Sequence, residues 1–542
     1  MARMTGGQAT VKALRDNGVD TLFGLPGVQM DGFFNALYDE GNAIRVIHPR
    51  HEQGAGYMAF GYAQSSGRVG VYAVVPGPGL LNTASPLATA YACNTPVMAV
   101  AGQIPSGAIG RGFGLLHEIP DQLALIRGLT KWAERIDYPA KAPAIVAEAF
   151  ARVTGGRPRP VEVEIAMDVL VEEAEVILTG PAAPLPPPPV DDERVEAAAA
   201  LLGAAERPMI FVGSGALGAA EEVATLARLI EAPVVANRGG RGILDDRDDY
   251  ALTQLGGYRL WAEADVVIAI GSRLQPPRAN WGVDDDLKVI HIDIDPTEID
   301  RVARPDVGIV ADAAEALAAL IPAVEKRNRK RASRAEELRG VKAALTADLD
   351  ARLGPQMAYL KALRRALPED GIFVDELTQV GYVARAAFPI YRPRGFIHSG
   401  YQGTLGFGFA TALGVKVANP DRPVLSINGD GGFMFTVQEL ATAVKHGIDV
   451  VAVVFADGAF GNVRRMQREL YDGRVIATEF ANPDFVRLAE SFGVHGERAD
   501  GPEALGKAVA RAFARRGATV IEVPFGDTPD PWPTLVPPRL RG

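Results

Sequence analysis

Two acidic turns carry the clearest chemical signal in this chain of 542 residues. Asn428-Gly-Asp-Gly-Gly432 follows the apolar run Pro423–Ile427, and Ala456-Asp-Gly-Ala-Phe-Gly-Asn462 follows Asp449–Phe455. Short, almost wholly apolar runs bounded by turn residues read as buried parallel strands, and Gln438–Lys445 between them reads as a helix. A right-handed crossover places both strands in one sheet, with both turns at one edge. Asp430 and Asp457 then offer two hard oxygen ligands, which with a freed backbone carbonyl suit Mg²⁺ or Ca²⁺. Gly429, Gly431 and Gly432 let backbone N–H groups approach phosphate oxygens beside a helix start. A single Gly-Asp-Gly is usually only a turn; the second acidic turn, one helix and one strand later, gives the pair its meaning. A third acid, Glu52, opens the Gly/Ala-rich stretch Glu52-Gln-Gly-Ala-Gly-Tyr-Met-Ala-Phe-Gly-Tyr-Ala63. Taken alone it is an ordinary dipole partner at a helix N-terminus.

These residues need large scaffolds around them. The length calls for two to four domains. Lys and Arg total 56 against 66 Asp and Glu, a net charge of −10. That balance argues against a nucleic-acid partner, which needs a basic face. The one cysteine, Cys93, excludes an intrachain disulfide framework. No apolar run is long enough to cross a membrane, and the first residues lack the apolar core of a signal peptide, so a cytoplasmic protein is expected. Two connectors divide the chain: the proline-rich Gly180–Pro189, and the charged stretch from Glu325 to about Gly354, expected as a solvated helix. The blocks are 1–180, 190–325 and 355–542. Further strands are expected at Val69–Val75, Pro96–Ala101, Pro208–Val212, Asp265–Ile270, Lys288–Ile292 and Ile372–Val374. Strands of this kind alternating with helices imply an α/β protein of three doubly wound parallel-sheet domains, with ligands beyond the carboxyl ends of the strands.

The paired acidic turns resemble the cofactor motif of thiamine-diphosphate enzymes. The stretch around Glu52 resembles the helix that carries the activating glutamate in acetohydroxyacid (acetolactate) synthases and their relatives. The resemblance runs along nearly the whole chain. It includes Phe23-Gly-Leu-Pro-Gly27, Pro76-Gly-Pro-Gly79 with Asn82, Ala101-Gly-Gln103, Phe211–Ala216, Val289–Pro296 and Ser399–Gly408. It implies a pyrimidine-binding domain, a central domain and a diphosphate-binding domain. Asp430, the Asp457 side chain and the Ala459 carbonyl are the implied Mg²⁺ ligands. Implied cofactor contacts come from Pro26, Glu52, Gly77 and Asn82 in the first block. In the third they come from Thr378, Gln379, Gly403, Leu405, Gly429, Asp430, Gly431, Gly432, Asp457, Phe460, Gly461 and Asn462. Glu52 would share a proton with N1′ of the aminopyrimidine, the Gly403 carbonyl would accept from its 4′-amino group, and Leu405 would hold the cofactor bent. In the family the two halves of a site come from different subunits, so a homodimer, or a homotetramer built from it, is implied.

The activity implied is decarboxylation of a 2-oxo acid followed by carboligation to an aldehyde or oxo-acid acceptor. Simple decarboxylation, or a flavin-dependent oxidase of the same fold, are the alternatives. Four departures from the acetolactate synthase branch bear on this choice. Ala456-Asp457 replaces the usual Asn pair. Gly271-Ser-Arg-Leu-Gln-Pro-Pro-Arg278 lacks the two acids of the flavin segment and argues against FAD. Arg465-Met466 replaces a Gln-Trp pair, and Leu116-His117 replaces Phe-Gln. His117 could deliver a proton to a carbanion and release an aldehyde. Gln29 is expected to face the substrate. His51 could cap its helix, and Arg111 could grip a carboxylate.

Overall fold

Each expected apolar run contains a strand in the computed structural model, which describes residues 1–542. The strands form three six-stranded sheets, every ladder parallel. The first runs Arg45–Ile47, Thr21–Gly24, Gly70–Val74, Val97–Gln103, Val161–Ala166 and Trp132–Ile136 across the sheet. The third runs Phe396–His398, Ile372–Asp375, Val424–Gly429, Val451–Ala456, Thr519–Pro524 and His495–Arg498. Counted along their own segments, both have the strand order 2-1-3-4-6-5, so the first and third sheets are topological twins. The middle sheet, from Ala251–Thr253 at one edge to Val307–Val310 at the other, has the order 3-2-1-4-5-6. A small antiparallel pair, Ala2–Thr5 with Glu173–Val176, ties the chain start to the segment before the proline-rich connector.

Order reversals of this kind open a crevice at the strands' carboxyl ends. In the first sheet the reversal lies between Thr21–Gly24 and Gly70–Val74, where Pro26, Gln29 and Gly77 follow. In the third it lies between Ile372–Asp375 and Val424–Gly429, where Thr378, Gln379 and Asp430 follow. In the middle sheet it lies between Met209–Val212 and Val266–Ile270. A cavity of about 770 Å³ opens there, walled by all three sheet units.

The twin domains are joined through their equivalent helices. Glu52–Ser66 and Gly408–Ala418 each lead into the third strand of their sheet, and the two pack directly together. A Cβ at Gly414 would stand 1.9 Å from the Met58 carbonyl oxygen, and one at Gly61 would stand 2.2 Å from that of Thr411. Glycine at both positions is what lets the backbones meet. Around the crossing, one buried apolar cluster runs from Phe23, Tyr57 and Phe60 through Phe407, Phe409 and Phe433.

The charged connector is more ordered than a solvated helix. Arg331 donates to the carbonyls of Leu202, Gly203 and Ala205, closing the carboxyl end of helix Asp192–Ala204. The long helix Ala335–Ala366 buries Leu345, Leu349, Leu353, Met357, Leu360 and Leu363 in the core of the third sheet. Leu353 leaves helical geometry two residues before Pro355, whose ring and missing N–H disrupt the turn. Charge density marked this segment as exposed, while leucines at helical spacing bury one face of it. No helix of the structure is long and apolar enough to cross a membrane.

Gly414→Ala should force the crossing apart and lower stability by about 1–3 kcal/mol, the usual cost of overpacking. Urea unfolding followed by tryptophan fluorescence checks this; a midpoint equal to that of the parent chain would show that the crossing tolerates a methyl group.

Candidate active site

The two acidic turns meet at the third sheet's crevice. Val424–Gly429 ends at Gly429, and Asp430 opens the helix Asp430–Phe435, so Gly431 and Gly432 lie in its first turn. The expected helix at Gln438–Lys445 is a separate element, Leu440–His446, reached through the single turn Val437–Glu439. Asp430 is buried, and its Oδ2 accepts from Gly458 N and from Asn482 Nδ2, both at 2.7 Å. The second acidic turn is thus tied directly to the first carboxylate. Asp457 Oδ1 accepts from Ala459 N at 3.3 Å. Burial and then the neighbouring Asp430 charge push the Asp457 carboxyl up to about 6. The Ala459 carbonyl accepts no hydrogen bond within the chain, although its neighbours pair across to Thr478 and Phe480. Two adjacent carboxylates and an unclaimed carbonyl oxygen form a donor set that fits a hard divalent cation.

Around this set the structure places most of the residues expected in the third block. Thr378 caps helix Gln379–Ala387, its Oγ1 accepting from Gly381 N at 2.7 Å. Gln379 Oε1 is buried without a partner, on the side of Asp457 and Gly461. Phe460 packs edge-on to Phe480 at 5.1 Å and covers Gly431. Asn462 is less free than expected. Its Oδ1 takes donors from Arg465 Nη2 at 2.5 Å and from Trp532 Nε1 at 2.8 Å, leaving the amide nitrogen as its donor. Gly403 has φ +57°, a conformation suited to glycine, and Leu405 stands half-exposed beyond it. The loop is anchored by Thr404, which accepts from Tyr57 OH at 2.9 Å, and by Gly406, whose N–H donates to Glu376 Oε1 at 2.7 Å.

Two acids that sequence reasoning missed support these loops. Glu376 is fully buried, and desolvation raises its carboxyl to about 8 despite the N–H groups aimed at it. Glu439 accepts from the N–H groups of Arg50 and His51 and from Thr442 Oγ1, and desolvation raises it to about 6. It sits directly below the start of the Glu52 helix. Their only sequence signal was an acid following an apolar run or beginning a helical one, which many solvated acids share.

The first sheet's crevice carries the remaining residues. His51 caps helix Glu52–Ser66, its Nδ1 accepting from Gln53 N at 3.1 Å. Glu52 Oε2 accepts from Asn82 Nδ2 at 3.0 Å. Asn82 ends the short helix Pro78–Leu81 that starts at Gly77. Gly77 lies against the carbonyl of His117, a residue held at φ +69° with a buried, unpartnered Nδ1. Gln29 is buried and donates to Leu116 O at 3.0 Å, while its Oε1 has no partner. Gln29 and His117 therefore share one loop junction and present two orphaned polar atoms there. Pro26 lies exposed in the turn after Thr21–Gly24. Arg111 is exposed and its side chain makes no hydrogen bond; its guanidinium lies over the Phe113 ring at 5.9 Å. No hydrogen bond or ion pair joins Glu52 to Gly403, Asp430 or Asp457 of its own chain; its side-chain partners are Asn82 and His51.

Comparison with known proteins gives the class. Residues 4–125, 195–320 and 377–523 match, in that order, the N-terminal TPP binding, central and C-terminal TPP binding domains of thiamine pyrophosphate enzymes. The chain belongs to the thiamine pyrophosphate enzyme family. It is 34% identical over 529 residues to a probable 2-ketoarginine decarboxylase of Pseudomonas aeruginosa, covering 96% of this chain and 94% of that protein. It is 35% identical over 570 residues to a probable acetolactate synthase large subunit of Methanocaldococcus jannaschii, covering 99% and 94%. The acetolactate synthase large subunit of Corynebacterium glutamicum is 33% identical, covering 98% and 88%.

Glu52→Gln keeps the side-chain volume and removes the acid. It should leave thiamine diphosphate uptake within about threefold and cut turnover by roughly 10³-fold, within the range for loss of an acid–base group. Calorimetry and steady-state kinetics read the two effects separately; full turnover in the variant would remove Glu52 from the chemistry.

Proposed function

We propose that this chain is a Mg²⁺- and thiamine-diphosphate-dependent enzyme that decarboxylates a 2-oxo acid and works as a homodimer. The observation that carries the proposal is the Asp430, Asp457 and Ala459 donor set at the crevice of one twin sheet, with Glu52 and Asn82 at the crevice of the other. When bound, thiamine diphosphate supplies the carbon nucleophile and electron sink that decarboxylation needs. Asp430, Asp457 and the Ala459 carbonyl would hold the cation that ties down the diphosphate. Glu52, whose Oε2 accepts from Asn82 Nδ2, would share a proton with the aminopyrimidine ring of the bound cofactor. The Gly403–Gly406 loop fixes one wall of the pyrimidine pocket through Thr404 and Glu376. The names of the relatives, a decarboxylase of a 2-oxo acid and acetolactate synthases, agree with this chemistry.

The fate of the reacting carbon turns on His117. Its Nδ1 is buried without a partner at the Gly77 junction, where an imidazole can hand over a proton and release an aldehyde. Carboligation is the second reading. It is supported by the acetolactate synthase relatives and by the exposed apolar side chains of Leu116 and Met466, which an acceptor could cover. A flavin forms no part of the proposal. Arg278 turns to the carbonyls of Ala303 and Arg304, and Pro276 and Pro277 occupy the segment where acetolactate synthases carry an acidic pair.

The homodimer is supported by what one chain leaves uncovered. Helix Gly461–Leu470, next to the second acidic turn, buries none of its residues and exposes Val463, Met466 and Leu470. The first domain exposes Val28, Leu81, Phe113 and Leu116 around its own crevice. Apolar surface concentrated at both half-sites marks an association face.

A panel of 2-oxo acids spanning alkyl and cationic side chains, assayed with Mg²⁺ and thiamine diphosphate, should release CO₂ from at least one member. No release from any of them would defeat the reading. With that substrate, His117→Gln should slow aldehyde release by about 10²-fold and raise any share of acyloin product; an unchanged product ratio would take His117 out of the proton transfer. Asp457→Ala should weaken thiamine diphosphate binding by about 10-fold or more, a loss partly restored by excess Mg²⁺, as expected for a removed cation ligand. Unchanged affinity would remove Asp457 from the metal shell.

A further inference from the structure

We infer that the buried amide of Gln122 is a positioning residue that fixes the activating acid's turn and the His117 loop as one unit, backed by Glu164 and Arg135. The inference rests on the reading of Glu52 and His117 given above. Gln122 is 1% exposed and opens helix Gln122–Arg127, five residues after His117. Its Oε1 accepts from Gly77 N at 2.8 Å. Its Nε2 donates to Gly102 O at 3.0 Å and to Glu164 Oε2 at 2.8 Å. Glu164 is itself buried, and its other oxygen is paired with Arg135 Nε. Because the partners are one N–H, one carbonyl and one carboxylate, the amide has only one satisfied orientation.

The leverage comes from what Gly77 touches. Gly77 has φ +57°, and a Cβ built there would stand 2.4 Å from the His117 carbonyl oxygen, so the turn and the loop meet backbone to backbone. Downstream, Gly77 starts the helix Pro78–Leu81, which ends at Asn82, the donor to Glu52. Upstream of Gln122, the same chain carries His117. Gly102, the second carbonyl that Gln122 holds, packs on the backbone of Gln29, which in turn donates to Leu116. One amide therefore bonds three segments near the ends of their strands: the Gly77 turn, which touches the His117 carbonyl and leads to Asn82, the partner of Glu52; Gly102, which packs on Gln29; and Glu164. A group this buried and this fully bonded resists displacement, because each broken contact strands a polar atom away from water.

A purely structural role would lower stability and leave the chemistry of the folded enzyme alone. A positioning role separates the two. Gln122→Leu, equal in bulk, should reduce kcat by about 10²-fold with KM changed less than about threefold, the scale expected when reacting groups lose alignment. Hydrogen exchange on the cofactor-free protein should show lost protection confined to the segments around Gly77 and His117. Gln122→Glu alone sets a carboxylate against Glu164 and should be impaired. The exchanged pair, Gln122→Glu with Glu164→Gln, restores an acceptor for Gly77 N–H and one amide–carboxylate bond. It should recover kcat to within about fivefold of the parent, a coupling read as a double-mutant cycle. The exchanged pair also keeps the test open if Gln122→Leu fails to fold. Unchanged kcat in folded Gln122→Leu, or an exchanged pair no better than its worse single variant, would overturn the inference. If the parent enzyme turns over no 2-oxo acid, the functional reading fails. The exchange pattern at Gly77 then still decides whether Gln122 holds the junction, and unaltered protection there would refute it.

Discussion

The near-contact of two helices, Glu52–Ser66 and Gly408–Ala418, is the constraint on which the rest of the structure depends. These helices hold the same position in sheets of the same strand order, so their pairing joins the twin domains through equivalent faces. The approach is as close as a peptide backbone permits, since side chains at 61 and 414 are absent. Each helix begins at a working point. Glu52 stands at the start of one, and the Gly403–Gly408 loop leads into the other. Tyr57, one turn into the first helix, reaches across to Thr404 in the second helix's loop. A shift of one helix along the other would therefore move Glu52 and the Gly403–Gly408 loop together, and the shared apolar cluster around Phe407 opposes such a shift.

Buried carboxyl groups divide into two kinds around that crossing. Glu376 and Glu439 are raised by desolvation; backbone N–H groups from neighbouring loops oppose the rise at Glu376, and the Thr442 hydroxyl with the Arg50 and His51 N–H groups opposes it at Glu439. They act as acceptors that gather loose backbone: Gly406 in one case, Arg50 and His51 in the other. Asp457 differs, because the second cause of its rise is another carboxylate, Asp430. Neutral donors cannot cancel that repulsion, whereas a cation relieves both charges at once. Six carboxyls are raised in this chain, Glu162, Asp293, Asp375, Glu376, Glu439 and Asp457, and Glu162 too has another carboxylate, Glu164, beside it. The pairing of like charges beside an unclaimed carbonyl selects one of them.

Much of this was legible in the sequence because it is local. Strands announce themselves through short apolar runs, and the acidic turns follow them directly, so topology carries both to one crevice. The parallel sheets and the meeting of the Asp430 and Asp457 turns follow from that alone, whereas Gln379 and Phe460 were marked only by the family resemblance. What stayed hidden is made by contacts between segments far apart. Glu439 meets Arg50 and His51 from the opposite end of the chain, and nothing near position 439 signals this. Gln122 looks like the first residue of an ordinary helix until the strand carrying Glu164 and the turn at Gly77 close around it. Composition misread the charged connector, since charge frequency was visible and the leucine stripe of Ala335–Ala366 was diluted by it. The capping of Asn462 by Trp532 depends on a tail that returns from the far end of the third domain.

One chain holds the Asp430, Asp457 and Ala459 donor set and, separately, Glu52 with Asn82, and no hydrogen bond or ion pair within the chain joins the two. On the proposed reading, the missing element is a second copy. A two-fold axis would set the exposed face of Gly461–Leu470 of one protomer near the exposed Val28, Leu81 and Leu116 of its partner, and the same operation would repeat the contact in reverse. Both sites would then close in a single association step, and the apolar surface now facing water at each would be buried at once. This accounts for a feature that a monomer leaves unexplained: a ten-residue helix directly after the second acidic turn with no buried residue at all. A helix of that length is marginal by itself and gains its stability from packing an apolar face. On the proposed reading, its packing partner is the partner protomer's surface around Glu52.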